Sequence, residues 1–228
     1  MDNLLNLIFP PKCLFCNRIG DIFCDYCLAE CLLLNPQYCV VCDRKATDGY
    51  THTDCKRELL PSQCVSVYLY SGKIRDCIKF SKYGPKQFSA MKKLSTEATA
   101  IAYEWDFINL EGYTCVPIPI SIRKEAYRGF NQAELIAKTL SWKFGLRYEI
   151  SILNRVKDTR SQFSLSRKER FQNLNASFTC LEEKVRGRKF LLVDDVCTTG
   201  ATFLEAAKTL YLAGALDVKC FSLSKKVL

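Results

Sequence analysis

Asp194 and Asp195 stand side by side at the end of an apolar run, in the stretch LLVDDVCTTGAT from Leu191 to Thr202. A carboxylate pair can accept hydrogen bonds from hydroxyl groups or ligate a metal ion, and it repels phosphate. The residues that follow have the opposite preference. Thr198, Thr199, Gly200, Ala201 and Thr202 form a small, hydroxyl-rich turn, and a helical pattern begins near Phe203. The free N–H groups and the positive end of a helix favour an anion at such a place. Gly200 lets the backbone approach closely. A vicinal diol beside a phosphate is a ribose 5-phosphate, which would use both halves of the stretch. The simpler alternative is an acidic pair that serves only as a magnesium site. The chain contains no G-x-x-x-x-G-K-[ST] and no G-x-G-x-x-G stretch, so no other nucleotide motif competes.

The second chemical constellation is made of cysteine. Eight of the fourteen cysteines lie in the first 55 residues. They form the pairs Cys13–Cys16, Cys24–Cys27 and Cys39–Cys42, each spaced Cys-x-x-Cys, and a degenerate fourth, His52-x-x-Cys55. Zinc takes four such ligands in a tetrahedron, and a Cys-x-x-Cys knuckle supplies two. Four knuckles make two sites. The simplest pairing is sequential, Cys13, Cys16, Cys24 and Cys27, then Cys39, Cys42, His52 and Cys55. An interleaved pairing, or a single zinc with spare thiols, is also compatible with the spacing. Cys31 can substitute for a ligand or simply pack. His52 is the only histidine, so Ser–His and Cys–His nucleophile systems are not expected. A head of this size buries little core, so a metal would stabilise it directly, and a strong chelator is expected to unfold residues 1–60.

Composition bounds the rest. Of 228 residues, 48% are hydrophobic and 25% charged, as in a globular protein. No apolar run reaches the ~18 residues of a membrane span. The start, MDNLLNLIFPPKC, lacks a basic segment and a small-residue cleavage site; a cytoplasmic location without membrane insertion is expected. The net charge of +9 is uneven. Residues 1–60 hold six Lys/Arg against eight Asp/Glu, and residues 61–228 hold 27 against 16. The basic surplus of the second part suits a phosphate-rich partner, whether nucleic acid or a small polyphosphate.

These groups must be held by larger elements. CVSVYLYSG (64–72) alternates and reads as a strand. KIRDCIKFSKYG places Ile74, Cys77 and Ile78 on one face of a short helix, with Lys73, Arg75, Lys79 and Lys82 on a face expected to be solvated. Residues 86–104 read as helix, YTCVPIPIS (113–121) as a buried strand ended by prolines, and NQAELIAKTLSWKFG (131–145) as a helix capped by Asn131. LRYEISILNRV reads as a strand, KFLLVDD (189–195) as a fully apolar one, GATFLEAAKTLYLAGA as a helix closed by Gly214, and LDVKCFSLS as the last strand. Residues 157–175 show no clear periodicity. Strands alternating with helices predict an α/β fold, a mostly parallel sheet covered on both faces, over residues 61–228. A small zinc-binding domain over residues 1–60 would precede it.

LLVDDVCTTGAT resembles the phosphoribosyl pyrophosphate motif of type I phosphoribosyltransferases. The resemblance implies that fold. It implies that Asp194 and Asp195 hold the ribose hydroxyls at the catalytic centre, and that Thr198 to Thr202 hold the 5-phosphate. It implies a pyrophosphate loop, for which VPIPIS (116–121) is the candidate, with Arg123, Lys124 and Arg128 behind it. It also implies a mobile lid, for which TRSQFSLSRKER (159–170) is the candidate, with Arg160, Arg167, Lys168 and Arg170. RGFNQAELIA (128–137) and TRSQFSLSRKERFQNLNASF (159–178) are further similar to the signatures of the ComF (ComFC) proteins, phosphoribosyltransferase-like factors of natural transformation with an N-terminal zinc ribbon. Two departures stand out: His52 takes the place of a usual cysteine, and Ala176-Ser177 replaces a usual Gly-Ala. The expected ligands are zinc, one or two ions, and phosphoribosyl pyrophosphate with magnesium. The expected partners are single-stranded DNA and other transformation proteins. Two functions remain open, transfer of a phosphoribosyl group to an unidentified amine or nucleobase, and binding of the donor in a protein that handles single strands. Phe163, Phe171 and Phe178 are aromatic groups that could stack on bases, with core packing the expected use of Phe178.

Overall fold

The computed structural model describes residues 10–81, 85–156 and 177–227. In chain order the elements are α1 (Asp25–Ala29), β1 (Gln63–Leu69), α2 (Gly72–Phe80), α3 (Pro85–Trp105), β2 (Tyr113–Pro117), α4 (Ile122–Arg128), α5 (Gln132–Phe144), β3 (Arg147–Tyr148), β4 (Asn154–Arg155), β5 (Phe178–Thr179), α6 (Glu182–Val185), β6 (Lys189–Cys197), α7 (Ala201–Leu212) and β7 (Asp217–Lys225). Five strands form one sheet in the order β1-β7-β6-β2-β3, and all its pairings are parallel. The short β4 and β5 pair antiparallel beside it. Among the described residues no helix is long and apolar enough to cross a membrane.

The strand residues explain why both faces are covered. Side chains of a strand alternate between faces. On β6, Leu191 and Val193 join one core with Ile74 and Ile78 of α2, Met91 and Leu94 of α3, and Ile136 and Leu140 of α5. Phe190 and Leu192 join the other, with Phe203, Leu204 and Leu210 of α7. Each such large apolar side chain, fully buried, contributes roughly 1.5–3 kcal/mol. Apolar residues at every position are what a two-sided parallel strand requires. Asn131 caps α5 as expected, its side chain accepting from the Ala133 N–H, and Gly145 closes that helix in the left-handed region at φ 66°.

Two elements depart from the sequence expectation. LRYEISILNRV is not one strand. β3 ends at Tyr148, and β4 begins at Asn154 in a different sheet. The Glu149 N–H still bonds to the Cys115 carbonyl, and its carboxylate is taken by Arg188 at 2.5 Å. Ile152 and Leu153 then turn into the α7-side core. The second departure is α4, a two-turn helix over a polar stretch without buried residues.

The cysteine-rich head grips the edge of the sheet. β1 is an outer strand, and an unpaired edge invites aggregation. Residues 32–34 cover it. The Leu34 N–H donates to the Val67 carbonyl, the Leu69 N–H donates to the Leu32 carbonyl, and Leu33 bridges Tyr68 antiparallel. From this seam the head reaches both faces. Cys13, Phe23 and Cys27 pack into the core of α2, α3 and α5, whereas Val40 packs into the α7 side.

Candidate functional site

The head is built from two copies of one turn. The Cys13 N–H donates to the Arg18 carbonyl and the Asn17 N–H to the Cys13 carbonyl; the Cys39 N–H donates to the Arg44 carbonyl and the Asp43 N–H to the Cys39 carbonyl. Asn17 and Asp43 sit at matching places with φ 59° and 63°, a conformation that Asn and Asp tolerate better than most residues. Each turn aims its two thiols at a second pair. Cys13, Cys16, Cys24 and Cys27 bring their sulfurs together, as do Cys39, Cys42 and Cys55 with a ring nitrogen of His52, all within 4.8 Å of one another in each group. This is the sequential pairing. Cys31 stays out of the first group and donates to the Cys27 carbonyl.

Both groups fit zinc. Thiolates bound tetrahedrally at ~2.3 Å lie about 3.8 Å apart, and the Cys16 and Cys24 sulfurs are 3.6 Å apart. In the second group His52 Nδ1 is 3.3 Å from Cys42 Sγ, while Nε2 lies 2.9 Å from the Lys45 carbonyl. A carbonyl there holds the proton on Nε2 and leaves Nδ1 as a donor to the metal. Arg44 Nε also points at Cys42 Sγ, 3.4 Å away. The thiols divide their protons unevenly. Burial would raise Cys13, but N–H groups of Cys24, Phe15 and Cys16 outweigh it and bring it to about 6. Cys27 is pushed up to about 12 by burial and by its neighbours Cys16, Cys24 and Cys13. Four thiols this close cannot all ionise without a cation among them.

The second site lies at the carboxyl ends of β1, β7 and β6, where an open parallel sheet places its ligands. A cleft of about 450 Å³ is lined by Asp194, Asp195, Thr198, Gly200, Ala201 and Thr202, together with Tyr70, Arg75, Lys79 and Lys226. β6 continues through the aspartates to Cys197, held by β7 in register. Both aspartates are half-buried, and Asp194 Oδ1 accepts the Asp195 N–H at 2.8 Å. Gly200 then turns the chain with φ 76° as the N-cap of α7. Thr199 is buried behind the turn. Tyr70 is raised above its usual pKa by burial and then by the charge of Asp195. An acceptor pair and the N-terminus of a twelve-residue helix therefore line one cleft, together with Arg75 and Lys79. Such a cleft can take a diol at one end and a phosphate at the other.

Arg75 and Lys79 were expected on a solvated face, and both side chains are exposed. Strand order brings them to the cleft: α2 leaves the end of β1, and β7 alone separates β1 from β6. Lys73, on the same helix, instead pairs with Glu30 of the head. Arg123 and Arg128 sit on α4, past the end of β2, and do not line this cleft. Arg128 donates to Gln132. Arg160, the lid candidate 159–170, Phe163 and Phe171 lie outside the described residues. Phe178 is buried, 4% exposed, in the α7-side core.

Comparison with known proteins adds the following. Residues 126–226 match the family model of the phosphoribosyl transferase domain. The DNA utilization protein YhgH of Salmonella typhi is 36% identical over 110 residues, 48% of this chain and 48% of its own. Competence protein F of Haemophilus influenzae is 36% identical over 112 residues, 48% of this chain and 49% of its own. These matches span about half the length of those relatives. Competence protein ComFC of Bacillus subtilis is 27% identical over 223 residues, 93% of this chain and 88% of its own. The chain is thus similar to the ComF/ComFC competence proteins, matches a phosphoribosyl transferase domain over residues 126–226, and carries a cysteine-rich head whose two ligand groups can hold zinc.

Proposed function

We propose that this protein binds phosphoribosyl pyrophosphate with magnesium in the cleft at the end of β6, and that it acts in the handling of imported single-stranded DNA. One observation carries the donor: Asp194 and Asp195 line a single cleft together with Thr198, Gly200, Ala201 and Thr202 of the turn. In this proposal the aspartates accept hydrogen bonds from the ribose 2′- and 3′-hydroxyls. The turn and the start of α7 take the 5-phosphate. Arg75 and Lys79 supply positive charge near the pyrophosphate. Magnesium, when bound, would neutralise part of the pyrophosphate charge. The DNA role is supported by the names of the relatives and by the basic surplus after residue 60.

A second function is favoured by the domain match itself. A phosphoribosyl transferase domain with its cations beside the carboxylates suits transfer of the phosphoribosyl group to an amine or nucleobase. Calorimetry separates these readings. The full chain is titrated with phosphoribosyl pyrophosphate and magnesium, and separately with a single-stranded oligonucleotide at two salt concentrations. Saturable binding of the donor is expected. So is oligonucleotide binding that weakens steeply with salt, because it releases counterions from each neutralised phosphate. Donor binding without any oligonucleotide binding would leave only the transferase. Absence of donor binding would remove the cleft assignment.

A further inference from the structure

The second metal knuckle, Cys39 to Asp43, touches the anion-binding turn directly. A Cβ on Gly200 would lie 2.6 Å from the Val40 carbonyl oxygen and 2.7 Å from Val40 Cγ2. Val40 sits between two ligands of the second group, Cys39 and Cys42, and is 3% exposed. The turn therefore rests on the knuckle backbone, and glycine at position 200 is what permits it. A second contact lies at the other end of the knuckle. Asp43, next to Cys42, pairs with Lys225 at 2.5 Å, and the two side chains are 12% and 4% exposed. Lys225 is the register partner of Cys197, where β6 runs into the turn. The Lys226 N–H donates to the Cys197 carbonyl, and Lys226 lines the cleft. Two independent contacts thus tie one metal group to the floor and the flank of the turn. The first group has no such position. Its Cys13 and Cys27 pack on the opposite face of the sheet, with α2, α3 and α5.

We propose that the Cys39–Asp43 knuckle is a positioning element of the Thr198–Thr202 turn, so that the metal at Cys39, Cys42, His52 and Cys55 sets the geometry of the cleft without touching its ligand. This rests on the turn being the anion site. The physical basis is that an isolated five-residue turn has no packed core of its own. A metal that holds both cysteines adds to the turn's own hydrogen bonds in fixing its backbone. A knuckle that loosens withdraws the Val40 surface from Gly200 and the Asp43 charge from a buried Lys225. An uncompensated buried charge is costly and moves the strand end to reach water.

The test compares four forms of the full chain: wild type, Asp43→Asn, Cys42→Ser in the second group, and Cys16→Ser in the first. Three quantities are measured: zinc content, hydrogen exchange over residues 197–202, and calorimetric affinity for phosphoribosyl pyrophosphate with magnesium. Asp43→Asn is expected to keep its zinc, to exchange faster at 197–202, and to lose affinity on the order of tenfold, as for sites coupled through a shared element. Cys42→Ser is expected to repeat this with loss of one zinc. Cys16→Ser is expected to lose one zinc and leave exchange at 197–202 unchanged. Should Cys42→Ser not fold, Lys225→Met takes its place, with the same expected exchange and full zinc. Unaltered exchange in Asp43→Asn, or equal effects of Cys16→Ser and Cys42→Ser, would overturn the proposal. If wild type takes up no donor while the exchange pattern still separates the variants, the positioning stands and the donor assignment falls.

Discussion

At the scale of single residues the cleft makes a direct demand on Asp194 and Asp195. Both are half-buried, and neither belongs to either core, so the double substitution Asp194→Asn/Asp195→Asn should leave the fold intact. Hydrogen bonds to a charged acceptor contribute about 1.5–3 kcal/mol each. Loss of the pair is expected to weaken phosphoribosyl pyrophosphate binding by about 100-fold or more, measured by calorimetry with circular dichroism as the check on folding. A double mutant that binds as tightly as wild type would remove the aspartates from the site. These two residues, and the eight residues of the two candidate metal groups, stand out in the sequence because their pattern is local: adjacency in one case, Cys-x-x-Cys spacing in the other. Arg75 and Lys79 do not. On α2 they lie roughly 120–160° around the helix from Lys73, which ends up on the head. Arg75 also pairs with the adjacent Asp76 at 2.9 Å, and a local pairing of that kind does not reveal a cleft. The position of both cations just after the carboxyl end of a parallel strand is the one signal that could have singled them out.

At the scale of elements, the long periodic segments were readable and the short ones were not. β6 and α7 follow from an apolar run and a helical spacing, and both stand close to where the pattern puts them. LRYEISILNRV failed because strand propensity says nothing about sheet membership. Tyr148 pairs beside β2, and Asn154 pairs with Thr179 instead. The α5 cap is a readable element boundary with a measurable weight. Asn131 accepts from the Ala133 N–H and donates through Nδ2 to the Ile118 carbonyl, 3.0 Å each, and is itself buried. It therefore fixes both the start of α5 and the exit of β2. Asn131→Ala removes both bonds and is expected to cost about 1–2 kcal/mol. The cost should appear as a lower urea midpoint with an unchanged denaturant slope. A midpoint equal to wild type would mean that solvent replaces both bonds at no cost.

At the scale of the whole molecule, the head contributes to more than its own stability. The sequence alone predicts that a strong chelator unfolds residues 1–60. The packing extends that expectation. Residues 32–34 supply the outer hydrogen bonds of β1. Phe23, fully buried, belongs to the same core as Met91 and Leu94 of α3. Val40 belongs to the α7-side core with Phe203. Metal removal therefore exposes an edge strand and opens both faces of the sheet next to it. Structural zinc binding contributes folding free energy on the order of 10 kcal/mol in small domains, comparable to the whole stability of an ordinary domain. Stripping zinc from the full chain is thus expected to lower the thermal midpoint of the entire protein, in one transition. It should also raise hydrogen exchange along β1 and α3, beyond the head. Returning zinc should restore both. If β1 and α3 kept their protection while residues 10–60 lost theirs, the head would be an independent module, and its contacts with the sheet would carry little of the stability.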